Sequence, residues 1–223
     1  GDTLLEALEE RGMTQKELAR RTGRPLKTIN EIVRGKGAIT AETALQFERV
    51  LGISAHFWLT REQQYREALA RFAEKQRLNN QTAWLDKLPV NKMIKLGWIE
   101  KKSTKLDQLQ EVLLFFGIST PDVWEDLWSE TTVAFRQSVK GEVDPYALSA
   151  WLQQGERQAY EISCQPYDEH TFKQAIKALR ALSTADPQDY LQAIVQQCAQ
   201  AGVAVVYVPA AGVGLRTYGA TYW

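Results

Sequence analysis

The sequence predicts a mainly α-helical protein whose C-terminus carries the beginning of a small α+β domain. Apolar residues recur at helical spacing through most of the chain, and Gly and Pro fall where helices would end or begin. One β-branched run, VAVVYVP at 203–209, indicates a buried strand. At 223 residues, two or three domains fit. We predict an N-terminal domain with an extended helix (1–78), a helical middle domain (79–155) and an incomplete α+β domain (156–223).

The segment 14–35, TQKELARRTGRPLKTINEIVRG, predicts two short helices joined by a tight turn. Thr14 and Glu17 have the spacing of a capping box. Gly23 suits the left-handed end of the first helix, and Pro25 suits the first turn of the second. The second helix buries a stripe formed by Ile29, Ile32 and Val33. This pattern is typical of a helix-turn-helix, whose second helix enters the major groove of DNA.

The charge of this region agrees with DNA binding. Residues 11–36 include eight basic and two acidic residues, a net charge of +6 in a chain whose formal charge is zero. Lys and Arg that neutralise phosphates supply most sequence-independent affinity for DNA. The alternative is the solvated face of an ordinary helical domain, which a charge run alone would favour. The coincidence with a capped helix and a turn glycine favours DNA binding.

Ten residues are candidate DNA contacts. They are Thr14, Gln15, Arg24, Leu26, Lys27, Thr28, Asn30, Glu31, Arg34 and Lys36. Direct base readout is expected from Lys27, Thr28, Asn30 and Glu31, since Lys favours guanine and Asn favours adenine in the major groove.

The other candidates have supporting roles. Gln15 begins the first motif helix, where its amide and free backbone N–H groups can hold a phosphate or reach a base edge. Leu26 is apolar and can pack on thymine methyl groups. Arg24, Arg34 and Lys36 are expected to contact phosphates.

The N-terminal residues 2–66 resemble the Cro/CI-type (XRE) helix-turn-helix family, and within it the HigA-type antitoxins and their larger regulator relatives. The resemblance rests on Thr14-Gln15, Leu18-Ala19, Gly23, Ile29, Gly35-Lys36, the run ITAETA at 39–44, LGI at 51–53 and the aromatic lid HFWL at 56–59. It implies a five-helix DNA-binding domain. It also implies a transcriptional repressor that binds a pseudo-palindromic operator as a homodimer and regulates its own promoter, with an antitoxin role and a toxin or effector partner as further options.

Downstream elements follow from the same signals, in order. A nearly continuous helix is expected over 55–78, a new element at Pro89, and a break at Gly97. Further helices are expected over 106–116, from Thr120-Pro121, from Pro145, over 172–182 and from Asp186-Pro187 to Ala201, followed by strands over 203–209 and 215–223.

Net neutrality hides a strong charge asymmetry. Residues 71–105 include nine basic and three acidic residues, whereas 107–170 include twelve acidic and three basic residues. The basic stretch is either a second DNA-contacting surface or a face that pairs with the acidic region. The acidic region either faces a partner protein or keeps the regulator soluble.

A second resemblance concerns the C-terminal part. The segments CAQAGVAVVYVP and GLRTYGATYW look like the N-terminal part of ImmA/IrrE-type metallopeptidase domains. That family places its zinc ligands on an HExxH helix, which this sequence lacks; its two histidines are His56 and His170. We therefore expect no catalytic residues, no metal and no cofactor. The alternative function is the regulatory or scaffold portion of such a peptidase, completed in a longer natural protein.

The remaining features predict a cytoplasmic protein. No apolar run approaches the roughly 18 residues of a membrane span, and no signal peptide is evident. Cys164 and Cys198 have no CxxC setting and are expected to be reduced. Double-stranded DNA, and no membrane, is the expected partner.

Overall fold

The computed structural model describes residues 1–130, 134–137, 144–181, 187–210 and 217–221. Most of these residues are helical, so the mainly α fold class is confirmed. The chain divides into two compact units, Gly1–Gln76 (unit 1) and Arg77–Trp223 (unit 2). The further boundary expected near residue 155 stays a prediction.

The five expected helices all begin in unit 1. Thr14 and Thr40 each cap a helix, accepting hydrogen bonds from the backbone N–H groups of Glu17 (3.2 Å) and Thr43 (3.3 Å). Pro25 is the N-cap residue of the third helix, one position earlier than expected. The helices are α1 (Asp2–Glu9), α2 (Gln15–Thr22), α3 (Leu26–Val33), α4 (Ala41–Leu51) and α5 (Ala55–Asn79).

One apolar core holds these helices together. It consists of Leu4, Ala7, Leu8, Leu18, Ala19, Ile29, Ile32, Ala44, Phe47, Leu51 and Trp58. The expected stripe of α3 is therefore confirmed for Ile29 and Ile32, while Val33 is half-buried. The Trp58 ring lies edge-on to Phe47 at 5.5 Å between centroids. Of the expected aromatic lid, only Trp58 is buried.

Unit 2 is built around α7 (Lys105–Phe116). Its core contains Leu78, Trp84, Leu85, Leu88, Met93, Trp98, Ile99, Leu109, Val112, Leu113, Phe115, Phe116, Trp124 and Ala150. Gly117 ends α7 with φ +66°, as the sequence predicts. The elements are a 3-10 helix (Thr82–Lys87), α6 (Val90–Lys95), α7 (Lys105–Phe116), α8 (Pro121–Glu130), α9 (Pro145–Tyr160), α10 (Glu169–Ala181) and α11 (Pro187–Gln200).

The strand predicted over 203–209 is wrong, because these residues form no strand pairing. Val206 and Val208 instead lie against Gly155 of α9, and the Trp151 indole N–H donates to the Val208 carbonyl oxygen at 2.9 Å. The apolar side chains of Val206 and Val208, which suggested a strand, thus pack on α9 instead.

A short antiparallel ladder is present elsewhere in unit 2. The strand β2 (Thr217–Thr221) overlaps the second expected strand and pairs with β1 (Ala134–Gln137), which the sequence did not suggest. The remaining ends of that predicted strand, 215–216 and 222–223, lie outside the described residues. The expected α+β domain is not established by this ladder.

The core position of Trp58 predicts a large loss of stability on truncation. Trp58 is 1% exposed whereas its neighbour Phe57 is 38% exposed. We expect Trp58→Ala to lower the free energy of unfolding by about 3–5 kcal/mol, and the control Phe57→Ala to lower it by about 1 kcal/mol. Urea unfolding followed by far-UV circular dichroism measures both. Equal losses would contradict the assigned packing.

Candidate nucleic-acid interface

The turn between α2 and α3 sets the geometry of the candidate interface. Gly23 caps α2 with φ +69°, which a residue with a side chain rarely adopts. The Arg24 N–H then donates to the Ala19 carbonyl oxygen at 3.0 Å. The Thr22 hydroxyl donates to the Leu18 carbonyl oxygen at 2.8 Å, so the end of α2 is closed by local bonds. α3 therefore leaves the turn in a fixed direction.

Burial of Ile29 and Ile32 determines which face of α3 points to solvent. At 100° per residue, Lys27, Glu31 and Arg34 lie opposite these two residues. The Lys27 side chain is 85% exposed, and its ammonium lies 3.9 Å from a Glu31 carboxylate oxygen. An ion pair this long and exposed holds Lys27 only weakly, so its ammonium is free to meet a base edge or a phosphate.

The other α3 candidates flank this outward face. Thr28 and Asn30 are half-buried, whereas Leu26 is exposed at the start of the helix. Apolar Leu26 and polar Asn30 therefore lie on the same helix as Lys27. This arrangement offers an apolar contact, an amide and a cation to one groove.

The start of α2 forms a second part of the candidate interface. Thr14 is exposed and caps the helix, and half-buried Gln15 is its first residue. The Thr14 hydroxyl already accepts from one backbone N–H. The other N–H groups of the first turn have no intrahelical partner and suit an anion.

Glu17 controls two of the basic side chains on α2. Its carboxylate accepts hydrogen bonds from Arg20 (2.8 Å and 3.0 Å) and from Arg21 (2.7 Å). These bonds lower the pKa of Glu17 to about 2. The i+3 and i+4 spacing is visible in the sequence and could have revealed the pairing. The count of eight basic residues therefore overstates the cations that are free to meet DNA.

Arg24 is turned toward α4, although the sequence predicts that it contacts a phosphate. Its side chain is only 19% exposed, and its guanidinium lies 3.2 Å from a Glu42 carboxylate oxygen. Its Nε also donates to the Gln46 side-chain oxygen. Arg24 thus ties the α2–α3 turn to α4. The partners lie 18 and 22 positions away, so no local sequence signal reveals them.

The C-terminal end of α3 presents two further cations. Arg34 and Lys36 are exposed on either side of Gly35, whose φ is +69°. A Cβ at Gly35 would lie 2.4 Å from the Tyr65 hydroxyl oxygen. The Tyr65 hydroxyl donates to the Gly35 carbonyl oxygen at 3.4 Å. The backbone conformation therefore favours glycine here, and a Cβ would also displace the Tyr65 hydroxyl.

The family comparison identifies the class of this domain. The helix-turn-helix family model matches residues 4–58, which span most of α1 through the start of α5 and include all ten candidate contacts. Unit 1 therefore carries a DNA-binding domain of the Cro/CI helix-turn-helix type. No curated protein matches the chain. The HigA-like and ImmA/IrrE-like resemblances stay predictions.

In the part of the chain that the structure describes, no group of three or more His, Cys, Asp or Glu side chains is arranged to hold a metal ion. His170 lies in the first turn of α10. Within the same residues, no helix is long and apolar enough to cross a membrane.

The Glu17 cluster predicts a specific acid response. A carboxyl whose pKa falls from 4.5 to about 2 stabilises the fold fully above pH 4.5, and that stabilisation is lost as the pH falls toward 2. We expect the Glu17 carboxyl carbon to titrate near pH 2 by NMR. In the Arg20→Gln/Arg21→Gln variant its midpoint should move back toward 4.5. A wild-type midpoint near 4.5 would show that the two arginines do not hold it.

Proposed function

We propose that the protein is a sequence-specific transcriptional repressor whose α3 reads the major groove of its operator. The observation that carries this proposal is the orientation of α3. Ile29 and Ile32 are buried, and Lys27, Glu31 and Arg34 are turned outward within a segment that matches the helix-turn-helix family. Repression is by occupancy, because a protein bound across a promoter blocks polymerase.

The residues around α3 have separable roles in this mechanism. Lys27, Thr28, Asn30 and Glu31 face base edges, where Glu can accept from cytosine N4. Arg34 and Lys36, with the α2 N-terminus at Gln15, position the helix through phosphates. Arg24 acts indirectly by holding the α2–α3 turn against α4.

A homodimer is part of the proposal, because one such domain reads about half of an operator. Its expected contact is the α5 face, defined as Tyr65, Leu69 and Phe72. These residues have the i, i+4, i+7 spacing of one helical face and are all exposed, Phe72 by 63%. A second copy is the proposed occupant, since a two-fold axis brings the same face of each copy together.

The charges beside the α5 face are compatible with this self-association. Arg66 binds Glu62 and Arg71 binds Glu67, each at 2.7 Å within the helix. These pairs leave little net charge beside the apolar residues, so a second copy would meet little repulsion. Autoregulation of its own promoter belongs to the same proposal. The antitoxin role and the alternative as a regulatory portion of a metallopeptidase stay predictions.

Lys27 provides the test of base readout. The operator is first selected from a random duplex library with the full chain. We expect Lys27→Ala to weaken binding to the selected site by about 1–3 kcal/mol and to change binding to a scrambled duplex much less. The control Lys36→Ala should weaken both duplexes alike and lower the salt slope by about 1. Equal losses for Lys27→Ala on the two duplexes would reduce Lys27 to a phosphate contact, and failure to select any site would overturn the proposed function.

The α5 face predicts the oligomeric state. We expect the full chain to be dimeric at micromolar concentration and Leu69→Asp to be monomeric, because a carboxylate cannot be buried there unpaired. The control Leu114→Asp alters an α7 side chain that is 79% exposed and should leave the dimer intact. Sedimentation equilibrium measures the masses, and a monomeric wild type would refute the dimer.

A further inference from the structure

The short helix α6 in unit 2 presents a rigid basic surface. Its buried side is anchored by Met93, which is fully buried, and the following Trp98 N–H donates to the Met93 carbonyl oxygen at 3.0 Å. The opposite side carries Asn91, Lys92 and Lys95, all exposed. Core packing therefore fixes the two lysines toward solvent.

The surroundings of α6 concentrate positive charge. The sequence has no acidic residue between Lys87 and Ile99. We call Lys92 and Lys95 the α6 lysines. Within the described residues, neither of them has a carboxylate oxygen within 4.0 Å of its ammonium.

Nearby carboxylates are already engaged by other lysines. The pairs are Lys87 with Glu125 at 3.6 Å, Lys102 with Glu100 at 2.6 Å and with Glu111 at 3.3 Å, and Lys105 with Asp86 at 3.9 Å. Two acidic residues of the range 107–170, Glu111 and Glu125, thus form ion pairs with lysines inside unit 2. They do not neutralise the α6 lysines in the part of the chain that the structure describes.

We propose that the α6 lysines bind the phosphate backbone of duplex DNA, as a second DNA contact separate from α3. Residues three apart on a helix have Cβ atoms about 5–6 Å apart, so the long side chains of Lys92 and Lys95 can reach neighbouring phosphates of one strand. Lysine offers a mobile point charge without base-reading geometry, so this contact adds affinity without specificity. The inference rests on the proposed function, because it assumes that the protein acts on DNA.

The test measures the salt dependence of binding to a 40-bp duplex of mixed sequence, with the full chain. Each phosphate contact contributes about 0.9 to the slope of log affinity against log salt. We expect Lys92→Ala/Lys95→Ala to lower this slope by about 1.8 for each protomer bound, and Lys92→Arg/Lys95→Arg to retain it.

The matched control is Lys177→Ala/Arg180→Ala on α10. These residues are exposed, have the same three-residue spacing and remove the same charge. The control should keep the wild-type slope. An unchanged slope in Lys92→Ala/Lys95→Ala would overturn the proposal, as would an equal loss in the control, which would mean that only total charge matters. A changed oligomeric state with an unchanged slope would assign the surface to protein contacts instead.

Failure of this inference is distinguishable from failure of the proposed function. If the wild type selects an operator and Lys27→Ala loses it, while Lys92→Ala/Lys95→Ala keeps the wild-type slope, only the α6 contact is wrong. If the wild type binds no duplex at any salt concentration, both proposals fall. Circular dichroism of each variant verifies that the helices are retained.

Discussion

The burial of Ile29 and Ile32 is the constraint on which the rest of unit 1 depends. These two side chains fix the rotation of α3 about its own axis and therefore decide which residues face outward. Because an α-helix has 3.6 residues per turn, a rotation of α3 by one position would carry Ile29 and Ile32 away from the core and bring a polar neighbour such as Thr28 or Asn30 toward it. The hydrophobic free energy that stabilises the domain thus also orients its recognition surface, and the capped α2 and the glycine turn hold that surface at a fixed angle.

Local signals explain why so much of the fold follows from the sequence. Thr14 caps the start of a helix, and Gly23 and Gly117 each end one. These effects involve only residues nearby in the chain, so they can be deduced without knowing the tertiary structure. The contact between Arg24 and Glu42 and the pairing of β1 with β2 join distant positions, and neither leaves a local pattern. The apolar run at 203–209 is ambiguous for a related reason. Val206 and Val208 need only an apolar neighbour, and here they lie against Gly155 of α9.

The position of the candidate interface could be predicted from the sequence, but the number of cations available to DNA could not. The outward direction of Lys27 follows from helical spacing alone, whereas the availability of each cation depends on its partners. Arg20 and Arg21 share the carboxylate of Glu17, and Arg24 is held by α4. The formal charge of a segment counts its basic and acidic residues but does not show which cations are already paired. Only the structure shows which cations stabilise the domain and which can bind DNA. The same distinction applies in unit 2, where Lys102 is paired and Lys92 has no carboxylate near it among the described residues.

The close approach of Gly35 and Tyr65 also limits how this sequence can diverge. A side chain at position 35 would meet the tyrosine ring and would face a left-handed backbone conformation as well. Relatives could relieve the first problem by shortening residue 65, but the second would persist. The two positions are therefore expected to vary together, with glycine the slower to change, and a chain that has lost both would need a differently shaped loop after its recognition helix.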